Sequence, residues 1–226
     1  MRYRYNQGGP VAHWTFDEGI GQTAFDESLN NNDGRLGSTT AADAGDPTWV
    51  EGKYGSALSF DGADDYIDAG DDTSLDIVGE ITIDAWVELN ALNTEQVVVI
   101  RDDNTNRNYY LHVNVNNLLT GGIFVSNTAR YSLSNTVFTT GRWYHVAFTY
   151  DRAYIRTYVN GLLDGTPLAE TGAIDNDDVS LSIGAREDGV DRRLNGFIDD
   201  VRIYNYARTQ EQILQDYNVG LSTHFK

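Results

Sequence analysis

Period-two alternation runs through most of the chain. Ile81, Ile83, Ala85 and Val87 share one side of a strand, and Thr82, Asp84, Trp86 and Glu88 the other. Tyr109, Leu111, Val113 and Val115 alternate in the same way with Tyr110, His112, Asn114 and Asn116. So do Tyr144, Val146, Phe148 and Tyr150 with Trp143, His145, Ala147 and Thr149. Shorter strands are predicted at Val11 to Phe16, Ala57 to Asp61, Asp65 to Ala69, Ile123 to Val125 and Val179 to Gly184, and Gln96 to Ile100 reads as a buried apolar run. Tyr154 to Val159 closes on Asn160-Gly161, a strong hairpin signal. From Gly21 to Thr48 the chain is rich in Asp, Asn, Gly, Ser and Thr and lacks periodicity, so it predicts a long loop with at most one short strand near Gly34 to Gly37. Loops of that length are usually functional, or held by something.

After Ala207 the period changes. Thr209-Gln210-Glu211-Gln212 fits a capping box, and Ile213, Leu214 and Tyr217 follow at helical spacing, which predicts one short C-terminal helix. Many short alternating strands, Gly and Asn turns and almost no helix predict an all-β antiparallel sandwich. The length favours a jelly-roll of two large sheets over a smaller immunoglobulin-like domain. Residues 1–10, ending in Gly8-Gly9-Pro10, read as a tail or linker, 11–218 as the domain and 219–226 as a C-terminal tail.

One strand breaks its own pattern. In Gly196 to Tyr206, strict alternation sets Phe197, Asp199, Val201 and Ile203 on one face and Ile198, Asp200, Arg202 and Tyr204 on the other. A carboxylate in line with Phe, Val and Ile is costly to bury unless it meets a cation or several hydrogen-bond donors.

Charge narrows the list of partners. The chain has 34 acidic against 16 basic residues and a net charge of −18. This argues against nucleic acid and anionic membrane surfaces, both of which reward many cations. It suits solubility, cation binding or adaptation to salt. The absence of cysteine excludes disulfides and thiolate metal sites. No apolar run is long enough to span a membrane, and residues 1–5 are not followed by the apolar core of a signal peptide.

Six motifs, in order, resemble the laminin-G-like jelly-roll domains of the concanavalin A-like lectin/glucanase superfamily. They are Trp14-Thr15-Phe16-Asp17-Glu18-Gly19 with Asp26-Glu27-Ser28; Ala57-Leu58-Ser59-Phe60-Asp61-Gly62 through Ile67; Ile81-Thr82-Ile83-Asp84-Ala85-Trp86-Val87; Gly141-Arg142-Trp143-Tyr144-His145-Val146-Ala147; Tyr158-Val159-Asn160-Gly161; and Gly196 through Asn205. The resemblance implies a carbohydrate-binding or adhesion module, part of a larger secreted or cell-surface protein, with a polysaccharide, glycan or cell-surface protein as partner. A protein-interaction or spacer module is the alternative, and a polysaccharide lyase or glycosidase the third. The resemblance also implies a structural calcium on the matching last-strand carboxylate, Asp199. Asp17 and Asp26, in the loop from Asp17 to Gly34, are the best further side-chain ligands, since calcium takes carboxylate and carbonyl oxygens. The competing reading is that Asp199 caps loop amides or pairs with an arginine.

The polar sides of the strands offer aromatic rings for sugar C–H faces and carboxylates or amides for hydroxyls. Asp84, Trp86, Tyr110, His112 and Arg156 are the candidate ligand-binding residues, with Arg101 on the rim beside Asp102, Asn104, Arg186 and Arg192. The same residue types also make cross-strand packing pairs on half-buried faces. The resemblance to the retaining glucanases implies two glutamates in Glu-x-Asp-x-(x)-Glu, and Thr82 stands at the first of these positions, so no catalytic pair is expected. Tyr110, His112 and Arg156 could imitate a lyase triad, but no lyase motif surrounds them.

Overall fold

A computed structural model describes residues 8–186 and 191–222, with side chains up to residue 218. Two antiparallel sheets enclose a single large apolar core. The first runs β14 (Leu162–Leu163), β13 (Tyr154–Val159), β12 (Trp143–Tyr150), β7 (Ile81–Leu89), β17 (Asn195–Tyr204), β5 (Ser56–Asp61), β4 (Thr48–Glu51). To it are added β1 (Ala12–Trp14) on β17 and β15 (Leu168–Ala169) on β13. The second runs β11 (Thr128–Val137), β10 (Leu118–Val125), β9 (Arg107–Val113), β8 (Gln96–Asp102), β16 (Ser182–Ile183), β6 (Ile67–Asp68), β3 (Gly34–Leu36), β2 (Thr23–Ala24). The fold is the expected all-β jelly-roll sandwich with one C-terminal helix, α1 (Gln210–Ser222). Residues 1–7 and 223–226 of the two expected tails lie outside the described residues, and α1 continues past the expected boundary at 218.

The long alternating strands behave as their patterns require, except that β9 ends at Val113 and the expected apolar position Val115 is exposed. Ile81, Ile83, Ala85, Val87, Tyr109, Leu111, Val113, Tyr144, Val146, Phe148 and Tyr150 all enter the core. The capping box forms in both directions: the Gln212 N–H donates to Thr209 Oγ1 (3.3 Å), and the Thr209 N–H to Gln212 Oε1 (2.9 Å). The hairpin at one edge of the second sheet, by contrast, is only partly foreseen in the sequence. β10 and β11 pair along their length through a turn at Ser126-Asn127, both at positive φ (51° and 62°). No glycine marks this turn. Asp175 holds it instead, accepting the Ser126 and Asn127 N–H groups at 2.8 and 2.6 Å.

The alternation expected for β17 is corrected by a bulge. Asp199 pairs with Trp86 but Arg202 pairs with Asp84, so one extra residue is inserted, and Asp200 takes φ 53°. Upstream, Ile198 faces the core and Phe197 packs outside on Trp143, with ring centroids 6.2 Å apart. Downstream, Val201 and Ile203 face the core. Asp199 therefore shares the outer face with Trp86 and never lines up with Val201 and Ile203.

The long loop after β1 is held by a side chain. Both oxygens of Asp26 are used: Oδ1 accepts from the His13 and Ser28 N–H groups (2.9 and 2.8 Å), Oδ2 from the Asn32 N–H and Ser28 Oγ (2.8 and 2.7 Å). Ser28, Asn30 and Asn32 side chains then converge on the Val11 carbonyl.

Candidate functional site

The outer face of each sheet carries aromatic and ionisable groups; the centre of the first is covered, with a cavity of about 490 Å³ left at its edge beside Arg156 and Tyr158, and the second is open. On the first sheet, α1 lies across the strands. Tyr217 stacks on Trp86 (5.5 Å between centroids, 25° between planes), and Ile213 clusters with Ala147 and Tyr158. Beneath it Asp84 Oδ1 lies 3.4 Å from Arg202 and 3.6 Å from His145 Nε2, Arg202 is 2.5 Å from Asp200, and Asp200 is 2.8 Å from His13. Thr82 anchors the cover: its hydroxyl donates to the Tyr206 carbonyl (2.8 Å) and accepts the Arg208 N–H (2.9 Å).

Asp84 and Trp86, expected to meet a ligand, are thus buried under the helix. Arg156 stays on the first sheet, donating to Asp151 at 2.6 Å. Arg101 is spent internally: it donates to the Val179 and Leu75 carbonyls (2.9 and 2.8 Å) and pairs with Asp76 (2.8 Å). None of these four reaches Tyr110 or His112. The expectation of one shared face fails because the polar rows belong to two sheets pointing in opposite directions, and a single strand's pattern cannot say which.

The second sheet's outer face holds an open cleft of about 380 Å³ that includes Tyr110 and His112. Their rings are stacked, 5.0 Å apart and 10° from parallel, with Phe124 5.7 Å from Tyr110. Gly122 makes this possible: a Cβ there would lie 2.6 Å from Tyr110 Cζ, so a strand position without a side chain lets the ring lie across β10. Tyr131, 46% exposed, is at hand from β11. Glu95, Asp102, Arg107, Asn114, Thr120 and Arg192 supply the polar lining. Burial pushes the His112 imidazole down to about 3, helped by Arg192 and Arg186, so the ring is neutral over the working pH range. Its Nδ1 is buried without a hydrogen-bond partner. Asp102 and Arg192, read from the sequence as rim residues, do line this cleft; Asn104 and Arg186 line the cavity next to it. Glu95, Phe124, Tyr131 and Gly122 were missed. The signal for them was the alternation Ala129, Tyr131, Leu133 facing the Gly121-Gly122 pair.

The expected calcium ligands separate. Asp26 is saturated by its donors and has no oxygen to offer. Asp17 and Asp199 do meet at one loop: Asp17 Oδ1 accepts the Ser56 N–H (3.1 Å) and Asp199 Oδ2 the Tyr54 N–H (2.9 Å). Asp199 Oδ1 is buried without a partner, and burial, reinforced by Asp200 and Asp17, pushes the acid up to about 8. A separate acidic turn, not foreseen, brings oxygens of Asp61, Asp64 and Asp65 within 4.8 Å of one another.

Residues 61–214 match the family described as the concanavalin A-like lectin/glucanases superfamily. The chain belongs to this superfamily. No curated protein sequence matches it. Among solved structures, it is similar to domain 4 of AbnA, a GH43 extracellular arabinanase from Geobacillus stearothermophilus, in complex with arabinotriose: TM-score 0.73, 22% identity, 93% of this chain and 98% of that one. It is also similar to the binding domain of Paraclostridial Mosquitocidal Protein 1 (TM-score 0.72, 15% identity, 93% and 52%). A third is the botulinum neurotoxin serotype D ligand-binding domain in complex with N-acetylneuraminic acid (TM-score 0.69, 16% identity, 93% and 51%). The chain spans about half of these toxin domains. At such identities the likeness establishes the fold, which this superfamily member shares with binding domains. Among the described residues, no helix is long and apolar enough to cross a membrane.

Proposed function

We propose that this chain is a non-catalytic carbohydrate-binding module, working outside the cell as part of a larger protein, and that its ligand lies in the cleft over β9 to β11. The observation that carries this reading is the open cleft in which the half-exposed Tyr131 ring stands beside the buried, mutually stacked Tyr110–His112 pair, with one imidazole nitrogen lacking a hydrogen-bond partner. An exposed ring such as Tyr131 receives the C–H face of a sugar, and leaving a buried imidazole nitrogen unpaired is costly unless a hydroxyl or water reaches it. The neighbour that carries arabinotriose supports the same class of ligand. A catalytic role is disfavoured by the covered face: the position where the related glucanases have a glutamate is Thr82, engaged with the chain leading into α1.

A structural calcium on Asp199, with Asp17 as second carboxylate, is part of the same proposal. The unpartnered Asp199 oxygen supports it, and the ion would supply positive charge at a buried acid while tying the Tyr54 loop to the last strand.

The test is calorimetric titration of a panel of polysaccharides against the wild type and Tyr131→Ala. The exposed Tyr131 makes little contribution to the core, so its loss is expected to leave melting unchanged and to weaken glycan binding about tenfold, the upper end of the ~0.5–1.5 kcal/mol of an aromatic stacking contact. Full affinity in Tyr131→Ala, or no binding of any glycan by the wild type, would remove the reading.

A further inference from the structure

Resting on that reading, we infer that the site takes an internal stretch of an uncharged polysaccharide chain, not a terminal sugar and not an acidic glycan. The cleft does not end at its aromatic wall. Glu95 and Arg192, joined at 2.8 Å, line both the 380 Å³ cleft and a neighbouring cavity of about 730 Å³ that also includes Thr94, Asn104, Arg186 and Asn195. The ion pair is thus a saddle between two openings, and a chain lying on Tyr131 continues across it.

The charges of this surface leave no cation ready for a carboxylate. Arg192 is paired with Glu95, Arg186 lies 3.0 Å from Asp191 and 3.8 Å from Asp102, and Arg107 lies 3.8 Å from Asp102 while its guanidinium also covers Phe124 at 5.3 Å. Four guanidinium groups, Arg193 of the larger cavity among them, face three carboxylates, and Arg193 too is engaged rather than free. A uronate entering here must displace an internal acid, against a chain whose net charge is −18. The groups that do lack a hydrogen bond are His112 Nδ1 and Arg186 Nε and Nη2, all buried. His112 is neutral, and Arg186 is already flanked by two acids. Hydroxyl groups satisfy such sites without adding charge, and leaving buried polar groups unpaired is costly enough to discriminate between ligands.

The experiment titrates the protein with arabino- and xylo-oligosaccharides of one to six units and with oligogalacturonides of the same lengths, at low and high salt. The expected result is a rise in affinity of at least about tenfold from one unit to four. Oligogalacturonides are expected to bind at least about tenfold more weakly at low salt, the gap narrowing as salt screens the repulsion. Glu95→Gln keeps the shape of the saddle and frees Arg192, so it is expected to raise oligogalacturonide affinity. Equal affinity for one unit and four would overturn the internal-chain inference. Oligogalacturonides binding as tightly as neutral chains, or a Glu95→Gln variant no better at binding them, would overturn the uncharged-ligand inference. If neither class binds, the proposed carbohydrate function itself fails.

Discussion

The two outer faces of this sandwich start from similar side chains and end in opposite states. The first sheet presents Trp86, His145, Tyr158 and Asp84, the second Tyr110, His112, Phe124 and Asp102. On the first, Tyr217 stacks on the tryptophan, Ile213 seals the cluster, and the charges join into a network from Asp84 through Arg202 and Asp200 to His13. On the second, nothing from the described residues covers Tyr131, and the aromatic rings border a cleft. The polar pattern of a strand says that a face is unlike the core. It does not say whether another part of the chain has taken it. The element that decides here is a helix of 13 residues at the far end of the sequence.

The largest effect is expected where the covered face is broken. Arg202→Ala leaves Asp84 and Asp200 buried without their shared cation, a loss of about 3–5 kcal/mol. Chemical denaturation measures it, and glycan affinity of the protein that remains folded is expected to be unchanged. A variant of near-wild-type stability would show that the network is an exposed pair after all. A variant that stays folded but loses glycan binding would mean that the two faces do not act independently.

Next comes a contrast within two adjacent residues. The bulge sends Asp199 and Asp200 into opposite environments. Burial alone would raise Asp200, but Arg202 and His13 outweigh it and hold the acid at about 2. Its contribution is present above the ordinary carboxylate range and is lost as pH falls towards 2. Asp199 is raised to about 8, so its contribution is full below the ordinary carboxylate range and lost as pH rises through 8. The metal-free protein is therefore expected to be most stable at mildly acidic pH, with melting temperature falling on both sides. Calcium at pH 8 is expected to restore several degrees in the wild type and none in Asp199→Asn. Equal calcium responses in the two proteins would take the ion away from Asp199.

These contrasts also measure what the sequence could reveal. Ile81 to Glu88, Tyr109 to Val113 and Trp143 to Tyr150 were legible because each has one apolar and one polar side, and the core accepted the apolar side in all three, whereas Val115 falls in the exposed turn after β9. Thr209 and Gln212 were legible because a capping box is local chemistry. The orientation of Asp199 was not, because a bulge inverts the alternation and its only trace is a non-glycine residue at positive φ. The β10–β11 hairpin was hidden for a related reason: its turn depends on Asp175, about fifty residues away in sequence. Of the six candidate binding residues only Tyr110 and His112, which share β9, line the open cleft; Asp84 and Trp86 share β7 but lie under α1. The others depended on which sheet each strand joined, and on the packing of α1.

The smallest expected effect tests the cover itself. Thr209→Ala removes the Oγ1 acceptor for the Gln212 N–H and weakens the start of α1 without touching its packing residues. The expected cost is about 1 kcal/mol. Because α1 shields only the first sheet, hydrogen exchange is expected to rise in α1 and at the outer positions of β7 and β12, while β9 to β11 keep their protection. Glycan affinity is expected to stay at the wild-type value. Faster exchange in β9 and β10 instead would mean that the helix stabilises the sandwich as one cooperative unit, and that the open cleft depends on the same cover that closes the opposite face.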